Sequence, residues 1–324
     1  MERFIRYKNN PIEVGMVGGG YRDIKPITVM TIQTAVRALG GVWIKYDDED
    51  TDDSTDISDK KDDIKRLIID SRLIVADETQ HWSSETCQII SDYSTNAQYK
   101  YSMSATPHRD QGDDILIDGC FGRTIADINA SYLIKRGYLV KPSIYFYNIK
   151  NTSNVKKVCY TTIYKKFIVE NEKRNDIIVK TANSLKEQGK NILILVKHIA
   201  HGKLLESLIP GSIFLYGGTA KKKRLEHLQK MRDEEHQITL SSIIFDEGIN
   251  VRALDALILG GSGKSPTRAL QRIGRILRTY PGKEEAVVID FMDHCKYLKE
   301  HSNARRKMYE TEKEFYIEVV NPHE

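Results

Sequence analysis

Two groups of residues carry the chemistry open to this chain. In Gln271-Arg272-Ile273-Gly274-Arg275-Ile276-Leu277-Arg278, three arginines and a glutamine share a short amphipathic stretch suited to meeting a polyanion. Ser265-Pro266 reads as an N-cap followed by proline at the first helical position, which predicts a helix over 267–278. At helical spacing Arg268, Gln271, Arg275 and Arg278 line one face, while Ile273, Ile276 and Leu277 turn elsewhere. Gly274 inside that helix costs about 1 kcal/mol against alanine, which suggests close approach of another surface. The second group is Asp77-Glu78, directly after the apolar run Leu73-Ile74-Val75-Ala76. It puts two carboxylates at the C-terminal end of a buried strand, where open parallel sheets bind ligands. Taken alone, the pair also reads as two acids capping a strand end.

Such groups must be held by strands and helices, and the pattern supplies them. Apolar, β-rich runs at 27–32, 73–76 and 99–103, then at 192–196, 212–216, 238–245, 256–259 and 286–291, alternate with helical stretches. The helices are expected at 175–188 before Gly189, at 199–208 before Pro210 and at 221–232. That alternation is the signature of parallel sheets covered by helices, an α/β class. A length of 324 residues with 40% hydrophobic content fits two cores. A first domain is expected over 1–137, an extended aromatic linker around Pro142 over 138–160, a second domain over 161–295 and a charged, helix-prone tail over 296–324. No apolar run is long enough to cross a bilayer and the N-terminus lacks a signal-peptide core, so an intracellular, soluble protein without membrane contact is expected.

The net charge of +4 is uneven. Residues 47–63 hold ten Asp or Glu against Lys60 and Lys61, a net −8 that leaves the rest at +12. A basic body suits nucleic acid, though it would suit other anions. The acidic run reads either as a solvated loop between strands or as a segment competing with nucleic acid for the basic surface. Cys87, Cys120, Cys159 and Cys295 are too scattered for a zinc or disulfide framework, and the pair His198/His201 reads as packed or solvated rather than metal-bound.

Together with Asp77-Glu78-Thr79-Gln80 and Ser104-Ala105-Thr106-Pro107, the arginine stretch resembles motifs II, III and VI of the superfamily 2 (DEAD/DEAH-like) nucleic-acid helicases, most closely phage and xeroderma-pigmentosum-B-like members. The resemblance implies two RecA-like domains with parallel sheets flanked by helices, ATP and Mg²⁺ as cofactors, and nucleic acid, DNA in preference to RNA, as partner. It assigns Asp77 to the metal, Glu78 to the attacking water, and Arg275 and Arg278 to the γ-phosphate as arginine fingers. Gln80 and Gln271 fall in the same nucleotide cleft, and Ser104 and Thr106 couple it to the nucleic-acid side. Gln80 stands where the family has histidine or aspartate, which leaves it able to bridge but not to take up charge.

Ser241 to Asn250 resembles motif V, with Ser242 on the nucleic-acid backbone and Gly248 and Asn250 on nucleotide. Asn250 replaces the usual aspartate, so its contact is uncharged. Tyr216-Gly217-Gly218-Thr219 before Lys221-Lys222-Lys223-Arg224 resembles the loop that grips phosphates through Gly218 and Thr219, and it also reads as a glycine turn before a basic helix. Thr31 and Gln33 resemble the backbone contacts of motif Ib. For a viral member the compartment is the host cytoplasm.

The family's P-loop has no match. Val17-Gly18-Gly19-Gly20 reads as a turn, and Gly260-Gly261-Ser262-Gly263-Lys264-Ser265 has Ile258 where a P-loop glycine belongs. In the family the P-loop precedes the segment matched by residues 1–10. The first domain is therefore expected to be truncated at its N-terminus, and the chain to be one part of a split or truncated helicase whose P-loop another chain supplies. The alternative is an inactive nucleic-acid-binding remnant or regulatory subunit.

Overall fold

The computed structural model describes residues 6–7, 10–41, 61–79, 84–104, 114–150, 158–232, 238–242, 253–261, 263 and 265–322. The chain forms two compact units, Met1–Asp127 and Ile128–Glu324.

In the first unit, β1 (Arg6–Tyr7) and β2 (Asn10–Pro11) form a short antiparallel pair. Strands β3 (Val14–Gly18), β4 (Tyr21–Asp23) and β5 (Ile27–Met30) make a sheet ordered β4-β3-β5, with β4 antiparallel and β5 parallel to β3. The glycines between β3 and β4 form a hairpin turn, as Val17–Gly20 suggests; Gly19 and Gly20 have φ of +60° and +84°, which L side chains rarely adopt. Helix α1 (Ile32–Ala38) follows, then α2 (Lys61–Asp70), β6 (Leu73–Ala76), α3 (Ser84–Tyr93), β7 (Tyr99–Ser102) and α4 (Asp114–Phe121). Strands β6 and β7 pair in parallel. Val17, Val36, Leu39, Ile64, Ile68 and Ile90 form one core, with Ile74 packed against it. The opposite face of β6–β7 is open, since Leu73, Val75, Tyr99 and Tyr101 are all exposed. Most of the acidic run, residues 47–60, lies outside the described residues; its end starts α2, where Asp63 pairs with Arg22.

The second unit opens with α5 (Ala130–Lys135) and is built on one seven-stranded, wholly parallel sheet. Its strands are β8 (Lys141–Ile149), β9 (Ile192–Val196), β10 (Ile213–Leu215), β11 (Ile238–Ser242), β12 (Ala256–Ile258), β13 (Glu285–Asp293) and β14 (Tyr316–Val320), in the order β10-β11-β9-β12-β13-β8-β14. Between them lie α6 (Tyr160–Tyr164) running into a π-helical turn (Lys165–Val169), then α7 (Glu172–Glu187), α8 (Ile199–Leu208), α9 (Lys221–Arg232), α10 (Pro266–Ile276) and α11 (Leu298–Glu310). Strand β9 is buried along its whole length because both faces are covered, the pattern of a central parallel strand. Its Ile192, Ile194 and Val196 pack with Ile178, Ala182 and Leu185 of α7 and Leu205 of α8. Leu193 and Leu195 face the other core, with Ala269, Ile273 and Ile276 of α10 and Tyr309 of α11.

Two expectations about this unit change. The stretch 138–160 is not simply a linker: β8 occupies Lys141–Ile149 and lies between β13 and β14. Pro142, Ile144 and Phe146 are buried in alternation there, which the intervening tyrosines disguise as a merely aromatic stretch, and Ile149 is buried in the core on the other face. The tail over 296–324 is likewise integral to the core, since α11 buries Arg305 and Tyr309 and β14 extends the sheet as an edge strand. Among the described residues, no helix is long and apolar enough to cross a membrane.

Candidate nucleotide and nucleic-acid sites

In the first unit the described residues singled out by sequence follow the carboxyl ends of strands, and in the second Gly218, Thr219 and Ser242 lie at or just after such ends while Gln271 and Arg275 lie on α10. In the first unit, Asp77 and Glu78 follow β6 and are exposed. The Glu78 amide donates to Asp77 Oδ1 at 2.9 Å. Glu78 has φ of +50°, a left-handed conformation that costs a non-glycine residue roughly 1–2 kcal/mol. Such strain persists only where neighbours enforce it, and it is concentrated at functional turns. The enforcing contact is local: Thr79 is buried and its amide donates to Met103 O at 3.2 Å, while Met103 N donates to Ala76 O at 2.8 Å. These bonds tie the acidic turn to the turn after β7, where Ser104 is half-buried. Thr31 directly precedes α1 without a side-chain capping bond, its Oγ1 lying 2.8 Å from Thr34 Oγ1, and Gln33 is half-buried in the first turn.

Mg²⁺ is commonly held by one or two carboxylates, with waters and substrate phosphates completing the shell. Asp77, exposed and held by a backbone amide, fits that role without the cluster of three or more ligands that is absent among the described residues. The phosphate cradle is not represented among the described residues. Gly261, in the sequence that mimics one, serves packing instead: a Cβ there would lie 2.7 Å from Tyr164 Oη and 2.8 Å from Lys197 N.

In the second unit, Thr219 Oγ1 accepts from Tyr216 N at 3.1 Å and Thr219 N donates to Tyr216 O at 2.8 Å, closing the glycine turn with Gly218 exposed after β10. Ser242 ends β11, and its buried Oγ has no hydrogen-bond partner among the described residues. Gln80, Thr106, Gly248 and Asn250 lie outside the described residues.

Helix α10 begins as expected, with Ser265 Oγ accepting from Arg268 N at 3.3 Å and Pro266 in the first turn. Arg268 is exposed, and Gln271 and Arg275 are half-buried. The helix ends at Ile276, earlier than expected, because the chain there turns to pair with β8's approach: Val140 N donates to Leu277 O at 2.8 Å, and Leu139 bridges Arg278. Arg278 is therefore outside the helix, near the amino end of β8, whereas Thr219 and Ser242 lie at carboxyl ends. Lys283 Nζ donates to Ile276 O, satisfying the helix terminus, and burial lowers its pKa to about 8. Gly274 marks no close approach within the described structure, since a Cβ there would meet nothing within 4 Å.

Sequence reasoning missed Arg174. Fully buried in α7, it donates to Asp293 Oδ1 at 2.9 Å and to Gly260 O at 3.2 Å. Nearby, Arg305 pairs with Asp290 at 2.8 Å and Tyr309 Oη donates to Asp290 at 3.0 Å. Arginines embedded in otherwise helical patterns offered no signal of burial. His198 and His201 do not form a pair: His201 is buried against Asn175 Oδ1 at 2.9 Å, and His198 is exposed.

The family described as helicase conserved C-terminal domain matches residues 171–280, from before α7 to just after α10. Among curated relatives, the ATP-dependent DNA helicase uvsW of Enterobacteria phage T4 is 25% identical over 76% of this chain and 54% of its own length. The DNA 3'-5' translocase XPB2 of Sulfurisphaera tokodaii is 24% identical over 90% of this chain and 68% of its own. The chain thus spans about half to two thirds of the length of these relatives. A structure of S. cerevisiae Dbp5 bound to RNA and ADP BeF3 shares the fold, with a TM-score of 0.59 at 12% identity over 97% of this chain and 71% of that one. Residues 171–280 thus form a helicase conserved C-terminal domain, and the chain as a whole is similar to ATP-dependent helicases and translocases of phage and archaea.

Proposed function

We propose that the chain is the motor portion of an ATP-dependent nucleic-acid helicase or translocase, acting on DNA in preference to RNA. The observation that carries this is the strained Asp77-Glu78 turn bonded through Thr79 to the turn bearing Ser104. In this reading Asp77 holds Mg²⁺, Glu78 orients the attacking water, and Arg275 and Arg278 stabilise charge on the transferred phosphoryl group. Held by Asp77, Mg²⁺ would supply positive charge to offset the charge that develops on the phosphoryl group. Gln80, Gly248, Asn250 and Gln271 contact nucleotide, and Thr31, Gln33, Gly218, Thr219 and Ser242 contact the nucleic-acid backbone, positioning without reading sequence. Ser104 and Thr106 report nucleotide state to that strand. DNA is preferred because the two curated relatives are named for it.

A second reading is favoured by the open face of β6–β7, where Leu73, Val75, Tyr99 and Tyr101 are exposed. In it, the phosphate loop comes from another polypeptide segment or chain that covers this face, and without it the protein binds nucleic acid but does not hydrolyse ATP.

The test is ATP hydrolysis with and without single-stranded DNA, for the wild type and for Glu78→Gln. Stimulated turnover lost in the variant, with nucleotide binding kept, supports the motor reading. Salt-sensitive DNA binding indifferent to ATP moves the assignment to the second.

A further inference from the structure

The carboxyl end of β9 carries a feature that the motor reading leaves unused. Lys197 and His198 follow the strand and are exposed. The Tyr164 ring lies against the His198 imidazole, with centroids 4.9 Å apart and planes inclined by 23°. The Lys197 ammonium sits 5.5 Å from the centroids of both Tyr160 and Tyr164. This arrangement is anchored from below: Tyr164 is 1% exposed and packs with Ile163, Phe167 and Leu298. The π-helical turn over Lys165–Val169 continues α6 directly after Tyr164, and such turns are frequent at functional sites. Gly261 leaves the space that the Tyr164 hydroxyl occupies. That hydroxyl and the Tyr160 hydroxyl are buried without a hydrogen-bond partner among the described residues, so packing of the rings, not hydrogen bonding, sets their position.

Burial and the neighbouring Lys197 charge lower the His198 pKa, which favours the neutral ring at physiological pH. Tyr164 covers one face of a planar, neutral aromatic that stays exposed beside a cation. Sequence-independent single-strand binding combines those two elements, an aromatic on which a base stacks and a positive charge for the backbone.

We propose that His198, backed by Tyr164, is a stacking platform for one base of a single-stranded nucleic acid, with Lys197 holding the adjacent phosphate. This rests on the reading of the second unit as a nucleic-acid-binding domain. Tyr164 is a positioning residue, since it reaches the base only through His198.

The full chain is titrated against a fluorescent oligothymidylate across a salt series, and against an oligonucleotide carrying 2-aminopurine, whose emission reports stacking. His198→Ala is expected to weaken binding about tenfold with the salt slope unchanged, and to reduce the 2-aminopurine response. His198→Tyr, which keeps a stacking ring, restores both. Lys197→Ala weakens binding and lowers the salt slope by about one. Wild-type binding that His198→Ala and Lys197→Ala leave unaltered overturns the platform and spares the motor reading. A wild-type chain that binds neither oligonucleotide overturns the nucleic-acid reading and the platform with it.

Discussion

Arg174 and Asp293 form a 2.9 Å ion pair sealed from solvent between α7 and the carboxyl end of β13. The guanidinium also lies 3.9 Å from the centroid of the Phe291 ring and donates to Gly260 O. Burial pushes the Asp293 carboxyl up, and Arg174 opposes that shift. Each charge is tolerable because the other is present, and breaking one side of such a pair costs about 3–5 kcal/mol. Arg174→Met is expected to lose stability of that order in urea unfolding. Arg174→Met with Asp293→Asn should lose less than the two single changes summed, and strict additivity would show that the pair is not coupled.

Glu312 caps α5 from more than 180 positions away. Its carboxylate accepts from Ala130 N at 3.2 Å, Ser131 N at 2.8 Å and Ser131 Oγ at 2.6 Å. Glu312→Ala leaves buried donors unmet, a loss of about 1–3 kcal/mol. Hydrogen exchange should rise at the amides of Ala130 and Ser131, and unchanged exchange there would mean that other contacts hold the helix.

His201 imposes a pH dependence whose sign follows from its burial. Desolvation, first, and then the nearby Arg174 charge lower its pKa to about 3, so the folded chain keeps it neutral while the unfolded chain protonates near the ordinary 6.5. The unfolded state therefore binds more protons below pH 6.5, and stability falls with pH through the window from 6.5 to about 3. The slope is about 1.4 kcal/mol per pH unit for one such group. Urea unfolding at pH 7.5 and pH 5 should differ by roughly 2 kcal/mol more for the wild type than for His201→Gln. Equal differences would remove His201 as the cause.

Arg275 is half-buried on α10, where the packing is made by Ala269, Ile273 and Ile276. Arg275→Lys keeps the charge and loses the planar fork. If Arg275 acts on the transferred phosphoryl group, nucleic-acid-stimulated ATP turnover should drop on the order of a thousandfold. Circular dichroism and thermal unfolding should stay as in the wild type. Turnover within threefold of wild type would remove Arg275 from that role.

What could be read from residues alone was what local pattern controls. Ile192–Val196 is a continuous apolar run and is a fully buried strand; Ser265-Pro266 announces α10; Gly18-Gly19-Gly20 announces a turn. The α/β class and the placing of Asp77-Glu78 at a strand end follow from the same periodicities. Strand β8 was obscured because Tyr145 and Tyr147 alternate with its buried residues. Strand β14 was obscured because Tyr-Ile-Glu-Val-Val follows a charged helix, and its Ile317 and Val319 find their core only once the strand pairs with β8.

The sequence by itself determined the α/β class, the buried central strand Ile192–Val196 and the start of α10, because helix caps and strand periods are encoded within a few positions. Only the tertiary structure decided that Arg174 meets Asp293 across 119 positions and that Glu312 reaches Ser131 across 181. It also decided that Arg278 leaves its helix to bridge Leu139, and that Tyr164 backs His198. Those pairings depend on which strands become neighbours in the sheet, and that is settled by burial summed over the whole unit, which no local stretch of chain records.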